Sequence, residues 1–586
     1  MISIIYFLAV TFLLGAFLSK RIHLINMGYG LALFTIIATI FKAPVYWWLF
    51  LILGICLFLI QVVRKKVDFK IQKPQIWIIL VLLLTGAFFL AYHQGAFSYP
   101  WLEDGDPWHH AMGAFYVAEE HTYSIPYYPE TYARRVYLEP YPPSYDILMA
   151  TLYQLNGDMY WTFKFFNVLL ISLGLIFAFY MMKRLFKSEK YAFLVTVGLA
   201  MIPCFMSHFI WAQTLAVILM FPAIYALHKR EYLAATICMT AIIITQPSTA
   251  FIFGAFFFLP YLFIRRKAMI LVSGAAAGLF SLGYYIPTIM KFGWQDFTKG
   301  MGWVSGFSTT LLESGSFGVK YGLMDFIIPS TRTMIDQPIG VGIFLILSFF
   351  VSLFFLFDFY KRNKYLPKVF KLSLLWFILT FLGTIGNYFP INFVPHRFWV
   401  FFAIPFVMLA VYSIHKFTDI LPKLKWPIII VFILMTFWTS GYIKYQTQNL
   451  KWGPGSSFGP EHPDPQVNMM LYQEEINGYL ALNQNVPKGS SIMELCWDEE
   501  KIITYGYYAP PLDEEIMRFR NNLTEHSAQD IYNLAKKKNM EYVLLTGTCL
   551  RNADMDMLNK LLEDITSSKL FGPVYNTQSF FLLRVI

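Results

Sequence analysis

The sequence predicts a polytopic α-helical membrane protein with a C-terminal extracytoplasmic α/β domain. Hydrophobic residues make up 57% of the 586 residues and charged residues only 14%, whereas about a quarter of the residues of a soluble domain are charged. Many segments approach the roughly 20 apolar residues that a helix needs to cross a bilayer. After residue 445 these apolar runs stop and amphipathic patterns replace them.

The candidate spans share a length close to that of the hydrocarbon core, and they lie at 2–19, 24–41, 45–63, 76–94, 161–182, 190–206, 208–228, 232–247, 249–264, 268–289, 338–359, 367–388, 397–415 and 426–444. The breaks around Ser207 and Pro247 are also compatible with broken or re-entrant helices. We therefore expect about 11–14 transmembrane helices. The first run lacks preceding basic residues and a clear cleavage site, so we predict a retained helix.

Basic clusters predict the orientation. If the helices alternate as given, every cluster falls on one side, which the positive-inside rule makes cytoplasmic; the clusters are Lys20-Arg21, Arg64-Lys65-Lys66, Lys183-Arg184, Lys229-Arg230, Arg265-Arg266-Lys267, Lys361-Arg362 and Lys423/Lys425. The polar regions 95–160, 290–337 and 445–586 then lie outside. The net charge of +10 thus reflects topology and predicts no nucleic-acid partner.

The domain organisation follows from these patterns. We expect extra N-terminal helices in 1–75, a catalytic membrane domain in 76–445 and an extracytoplasmic domain in 446–586. In the last, the pattern predicts helices at 527–538 and 558–569 and strands at 542–545 and 579–585. Ser527 and Asp530 stand at capping-box spacing. Cys496 and Cys549 could form a disulfide if this domain is outside the cytoplasm.

Asp104 and Asp106 are the first candidates for chemistry. They stand at i, i+2 in the segment EDGDPWHHA, just before Pro107, which restricts the backbone that precedes it. Paired carboxylates in such a loop suit a hard divalent cation such as Mg²⁺ or Mn²⁺. A solvated acidic loop is the alternative, although the many nearby aromatic residues favour a loop packed on the membrane surface.

EDGDPWHHA, followed by IPYYPETYARRVYLEPYPPSYDILMATL, resembles the first external loop of archaeal-type oligosaccharyltransferase catalytic subunits, which are glycosyltransferases of the GT-C superfamily. The resemblance implies a GT-C-like helical bundle in a prokaryotic plasma membrane. It also implies that Asp106 binds the catalytic divalent metal ion, Mn or Mg, and prepares the acceptor. Asp104 takes the first acidic place of the motif, and His110 takes the place of a frequent histidine.

Thr310-Leu311-Leu312-Glu313, in the second long external loop, is similar to the family's Thr-Ile-x-Glu motif. By that resemblance Glu313 reaches the metal and acceptor site. A helix-capping role of Thr310 with Glu313 explains the local sequence equally well.

Arg397 stands at the outer mouth of an otherwise apolar helix. A charged residue inside a membrane helix costs about 2.5–3.5 kcal/mol at the bilayer midplane unless it is compensated. An arginine there suits a lipid-linked phosphate, which it can bind through two hydrogen bonds. The family has an arginine in this setting, facing the phosphates of the donor. Snorkelling of Arg397 to the interface is the alternative.

Two regions depart from the family. Only Trp497 and Asp498 coincide with the WWDYG motif that binds the Ser or Thr of an Asn-x-Ser/Thr acceptor, so recognition of that tripeptide is in doubt. Where the family has a second acidic motif, this chain has Ile210-Trp211-Ala212-Gln213. Gln213 or His208 could substitute as a weak metal ligand.

The sequence therefore favours a membrane glycosyltransferase. It would transfer a sugar or oligosaccharide from a polyprenyl- or dolichyl-phosphate-linked donor to a protein or glycan acceptor outside the cytoplasm, with its donor held among membrane lipid. One alternative is a monosaccharide transferase of mannosyl type with a lipid-monophosphate donor and an acceptor without the tripeptide. Another is a transporter or flippase, although coupled transporters need ionisable residues along their pathway and the membrane segments contain few.

Overall fold

A computed structural model describes the whole chain except residues 20–22, 65–75, 99–101, 103–104, 126–137, 301–319, 331–337, 389–394, 449–464, 497–498, 510–512, 548, 550–554 and 578. The chain divides into two compact units. The membrane unit comprises Met1–Ser98, Val117–Ile125 and Tyr137–Leu450, and the C-terminal unit comprises Tyr99–Tyr116, Pro126–Val136 and Lys451–Ile586.

Every apolar segment predicted from the sequence contains a helix. The helices up to residue 448 are α1 Ile2–Leu18, α2 Asn26–Thr39, α3 Trp47–Val63, α4 Ile76–Ala96, α5 Gly105–Glu120, α6 Ser144–Asn156, α7 Met159–Phe186, α8 Glu189–Met201, α9 Ala212–Lys229, α10 Tyr232–Ile243, α11 Pro247–Ile252, α12 Leu259–Arg265, α13 Ala268–Gly300, α14 Leu323–Ile327, α15 Ile343–Asn363, α16 Lys368–Thr384, α17 Pro395–Ile420, α18 Lys425–Thr436 and α19 Tyr442–Gln448. The turns Phe253–Phe258 and Phe437–Gly441 are π-helical and continue their helices.

Eight helical stretches in the described part of the chain are long and apolar enough to cross a membrane. Four further apolar helices are shorter, namely α1, α2, α3 and α10. The predicted fold class, a polytopic helical membrane protein, is confirmed. At Ser207 the chain passes between α8 and α9, and Pro247 is the first residue of α11.

Contacts inside the membrane unit test the predicted alternation of the helices. At one side, the Ser144 hydroxyl donates to the carbonyl of Ile244 at 2.5 Å and lies 3.0 Å from the Thr39 hydroxyl. At the other side, Lys190 Nζ lies 2.6 Å from the Asp419 carboxylate. In both cases the groups that meet were predicted to lie on the same side of the membrane. The contacts agree with the alternation, and the assignment of the cytoplasmic side stays a prediction.

The α1–α2 pair shows how small residues let membrane helices approach closely. A Cβ atom added to Gly30 would overlap the backbone carbonyl oxygen of Thr11, and one added to Gly15 would overlap that of Asn26. Backbone atoms cannot move aside as the end of a side chain can. The two helices therefore contact each other through their backbones.

We expect Gly30→Ala to destabilise the protein by about 1–3 kcal/mol, because the added methyl group forces α1 and α2 apart. Thermal unfolding of the purified protein in detergent measures the effect. Gly278→Ala is the matched control, since a Cβ there has no neighbour within 4 Å and alanine favours a helix over glycine. Equal melting temperatures for the two variants would contradict the close approach.

The C-terminal unit is built on a four-stranded sheet of order β1-β2-β4-β3. The strands are β1 Ile492–Glu494, β2 Tyr542–Thr546, β3 Phe571–Asn576 and β4 Phe580–Val585, and the helices are α20 Pro465–Asn485, α21 Glu499–Thr504, α22 Glu514–Asn521, α23 Ala528–Lys537 and α24 Met555–Ser567. β1 and β2 are parallel, and β4 is antiparallel to both β2 and β3. The predicted capping box of Ser527 and Asp530 begins α23. The α/β character predicted for this region is confirmed.

Candidate functional site

Asp106 lies in the first turn of α5. The sequence suggested a bent loop at this point, and the structure corrects that expectation, since the helix begins at Gly105. Proline is tolerated in a first helical turn because the amide hydrogen that it lacks has no partner there. A carboxylate in the first turn also interacts favourably with the helix dipole. Asp104 lies outside the described residues.

His110 follows Asp106 by one helical turn, so both side chains are on the same face of α5. Asp106 is partly exposed, and His110 is 3% exposed. One carboxylate and one imidazole fit two places in the shell of a divalent cation. Among the described residues, no group of three or more His, Cys, Asp or Glu side chains is arranged to hold a metal. Glu313, like Asp104, lies outside those residues.

Trp108 packs α5 into the C-terminal unit, to which the helix belongs as far as Tyr116. The indole is 3% exposed, and its Nε1 donates to the Leu102 carbonyl at 3.0 Å. The ring centroid lies 6.3 Å from that of Tyr505, which stacks on Tyr479 at 5.4 Å. Tyr505 follows directly after α21, which begins one residue after Asp498. The helix α5, which contains Asp106, thus packs beside the segment that follows the Trp497-Asp498 pair.

The residues before Trp497 are held at the carboxyl end of β1. The Glu494 side chain accepts a hydrogen bond from the backbone amide of Cys496. Arg520 donates to the Glu494 carbonyl at 2.8 Å and forms an ion pair with its carboxylate at 3.4 Å, both side chains being at most 1% exposed. Cys496 is bonded to Cys549, which follows β2. Trp497 and Asp498 themselves lie outside the described residues.

Arg397 lies in the first turn of α17, in the membrane unit, and is partly exposed. Its Nη1 donates to the Ser248 hydroxyl in α11 at 3.1 Å. No carboxylate in the part of the chain that the structure describes forms an ion pair with Arg397. Within the described residues, a guanidinium at the end of a membrane helix therefore has one neutral partner and hydrogen-bond donors left over.

The connection from Ile202 to Trp211 joins α8 to α9 and reaches the segment in which the resemblance led us to expect a second acidic motif. Lys444 Nζ donates to the carbonyls of Ile202 and Phe205 at 2.9 and 2.6 Å. The Tyr92 hydroxyl donates to the Met206 carbonyl at 3.1 Å. Helices α4 and α19 of the membrane unit thus each supply a side chain to this connection, and α7 supplies another.

The contribution of α7 is Asn167. Its amide donates to the carbonyls of His208 and Phe209 at 2.9 Å each and accepts from the Tyr145 hydroxyl at 3.1 Å. His208 and Gln213, the substitute ligands considered from the sequence, are 2% and 1% exposed. The sequence did not identify Lys444 or Asn167, although a polar group in a membrane helix is itself a signal of a specific role.

No protein-family model and no curated protein matches the chain. Among solved structures, ArnT from Cupriavidus metallidurans bound to undecaprenyl phosphate is 10% identical, with a TM-score of 0.51 over 86% of this chain and 97% of that chain. The same protein in the apo state has a TM-score of 0.50 with the same identity and coverage. The Archaeoglobus fulgidus oligosaccharyltransferase in the apo form is 12% identical, with a TM-score of 0.46 over 86% of this chain and 74% of that chain.

At such low identity a structural match establishes the fold and leaves function to be argued from the site. ArnT is a GT-C protein, and the match covers nearly all of its length. The chain is therefore a polytopic integral membrane protein with the GT-C fold.

Proposed function

We propose that the chain is a membrane glycosyltransferase. It takes a sugar or an oligosaccharide from a polyprenyl- or dolichyl-phosphate-type lipid and transfers it to an acceptor, a protein or a glycan, on the outer face of the membrane. The GT-C fold supports this class of reaction, and the matched ArnT structure holds undecaprenyl phosphate, the kind of lipid phosphate that such a donor would release. A shared fold does not establish a function, so the support has to come from the residues of the site.

The hydrogen-bond partners of Arg397 are the observation that supports the proposal most directly. A partly buried guanidinium is strongly favoured when an anion with two oxygens can bind it. Arg397 has no carboxylate partner within the described chain, and its recorded partner is the Ser248 hydroxyl. Snorkelling explains an arginine at a membrane surface, but it does not explain a guanidinium bonded to the side chain of another membrane helix. A lipid phosphate supplies the missing charge.

In the proposed reaction, the bond between the anomeric carbon and the phosphate oxygen of the donor breaks. A new bond forms from that carbon to the acceptor's oxygen or nitrogen, which gives up a proton. Negative charge develops on the departing lipid phosphate, and Arg397 stabilises it where it develops. The Asp106 carboxylate orients the acceptor group and can receive its proton.

Asp106, Asp104 and Glu313 are the residues that would hold a divalent metal, Mn or Mg, with His110 as a further candidate. Such an ion supplies a positive charge that favours the deprotonated acceptor. Trp497 and Asp498 are proposed to bind the acceptor. They follow β1, and ligands commonly bind beyond the carboxyl ends of parallel strands.

A lipid monophosphate is the donor that one observation favours. Such a donor is a phosphodiester with a single negative charge, which one guanidinium can balance while one hydroxyl donates a hydrogen bond to it. The described surroundings of Arg397 provide these two groups. The second candidate function is therefore a monosaccharide transferase that uses a lipid-monophosphate donor and an acceptor other than the Asn-x-Ser/Thr tripeptide.

The disulfide between Cys496 and Cys549 supports an outer location of the C-terminal unit. Disulfides persist in oxidising compartments and are rare in the cytosol. This agrees with the positive-inside orientation, which was derived from different residues. We accordingly propose that the C-terminal unit is extracytoplasmic in a prokaryotic plasma membrane.

Sugar transfer by an Arg397→Ala variant tests the proposal. Membranes containing the variant are supplied with a labelled polyprenyl-phosphate sugar and with Mn²⁺ or Mg²⁺. The amount of label transferred to the acceptor is then measured. We expect a loss of about 100-fold, because one preorganised charge is removed from the transition state. Arg397→Lys should retain part of the activity.

Arg362→Ala is the matched control, because Arg362 forms an exposed pair with Asp358 and its side chain is 76% exposed. It should transfer sugar as the parent does. Unchanged transfer by Arg397→Ala would remove the support for a donor-phosphate site. Solute uptake by the purified protein in liposomes, without sugar transfer, would favour a transporter instead.

A further inference from the structure

The turn between α10 and α11 brings four polar side chains to one end of the membrane unit, and three of them are bonded locally. The Thr245 hydroxyl donates to the Ala241 carbonyl at 2.6 Å, and the Thr249 hydroxyl donates to the Gln246 side-chain oxygen. These three side chains are buried, with at most 4% exposure. The two threonine hydroxyls and the Gln246 side-chain oxygen are thus used by neighbouring groups of the same segment. The fourth, Ser248, differs from them.

Ser248 is partly exposed, and its one recorded hydrogen bond is accepted from Arg397. A hydroxyl carries one donor proton and two acceptor lone pairs. Accepting from Arg397 uses a lone pair and leaves the proton available. Nothing in the described part of the chain accepts that proton. The guanidinium therefore has, at 3.1 Å, a second donor that can reach the same anion.

On the basis of the proposed function, we propose that Ser248 is a second ligand of the donor phosphate. Its hydroxyl donates to one phosphate oxygen while Arg397 binds the same phosphate group. The two ligands come from different helices, α11 and α17, and each lies in the first turn of its helix. Binding requires no bond to be broken, because the Arg397–Ser248 hydrogen bond uses a lone pair of the hydroxyl and leaves its proton for the phosphate.

The affinity of the purified full chain for undecaprenyl phosphate tests this role. The lipid is titrated in detergent, and binding is followed by tryptophan fluorescence and checked by native mass spectrometry. Ser248→Ala should weaken binding about tenfold, the effect of losing one hydrogen bond to a charged group. Ser248→Thr keeps the hydroxyl and should bind nearly as the parent does. Thr245→Val is the matched control and should bind unchanged, since the Thr245 hydroxyl donates to the Ala241 carbonyl in α10.

The double variant Ser248→Ala with Arg397→Ala distinguishes a direct contact between Ser248 and the phosphate from a role of Ser248 in orienting Arg397. If Ser248 contacts phosphate, Ser248→Ala weakens binding further in an Arg397→Ala background. The inference about Ser248 is overturned if Ser248→Ala does not weaken binding in the Arg397→Ala background. It is also overturned if Ser248→Ala alone binds as the parent does while Arg397→Ala binds poorly. In both cases the proposed function stands. Parental affinity of Arg397→Ala would overturn the donor site itself. Monodisperse elution of each variant establishes that it is folded.

Discussion

Asp106→Asn is expected to reduce sugar transfer by about 10²–10³-fold while the protein remains folded. The substitution keeps the size of the side chain and removes the charge that the proposed metal and acceptor roles require. Asparagine is also compatible with the first turn of a helix. Transfer from a labelled polyprenyl-phosphate sugar is measured over a range of Mn²⁺ concentrations.

Asp158→Asn is the control for Asp106→Asn. Asp158 is another acidic residue at a helix start, and its side chain accepts a hydrogen bond from the Trp161 amide as the cap of α7. Asparagine caps a helix about as well as aspartate does, so this variant should transfer sugar as the parent does. If Asp106→Asn also transfers normally at every Mn²⁺ concentration, Asp106 has no part in the chemistry. A loss that excess Mn²⁺ partly restores would support metal binding.

Arg520→Met is expected to lower the free energy of unfolding of the C-terminal unit by about 3–5 kcal/mol. The Arg520 and Glu494 side chains are 1% and 0% exposed, and removing one partner of a buried ion pair leaves an uncompensated charge in the interior. The change is measured by unfolding the full chain in denaturant and using protease cleavage within the C-terminal unit as the readout of its unfolding. The double variant Glu494→Gln with Arg520→Met should recover part of the loss.

The control for Arg520→Met is an exposed pair in the same unit. Lys537 and Glu515 lie 2.7 Å apart with side-chain exposures of 63% and 44%. Lys537→Met should cost less than about 1 kcal/mol, because solvent screens such a pair. Equal destabilisation by Lys537→Met and Arg520→Met would mean that burial of the Glu494 pair has no special importance.

The membrane helices could be predicted because hydropathy is a local property of the chain. A run of about 20 apolar residues is apolar whatever its neighbours are. The start of α5 could not be read this way, because Gly105, Asp106 and Pro107 are typical of turns and also of first helical turns. α6 was missed for a related reason, since its 13 residues are too few to cross a bilayer and lie within a region predicted as a polar loop.

The candidate site was predictable only residue by residue. Arg397 is conspicuous because a cation in an apolar run demands an explanation, whereas its partner Ser248 stands 149 positions away. A single sequence does not say which distant residues meet. The same holds for Glu494 and Arg520, and for Asn167 with the carbonyl of His208. The roles assigned to Asp104, Glu313, Trp497 and Asp498 remain predictions, since these residues lie outside the part of the chain that the structure describes.

The connection between α8 and α9 has a consequence for how this sequence can change over time. Lys444, Tyr92 and Asn167 donate to backbone carbonyls there, and every residue type offers the same carbonyl. Substitutions along the connection therefore leave these hydrogen bonds intact, while substitutions at the three donors do not. The three donors can therefore hold the path of this segment without an acidic side chain in it.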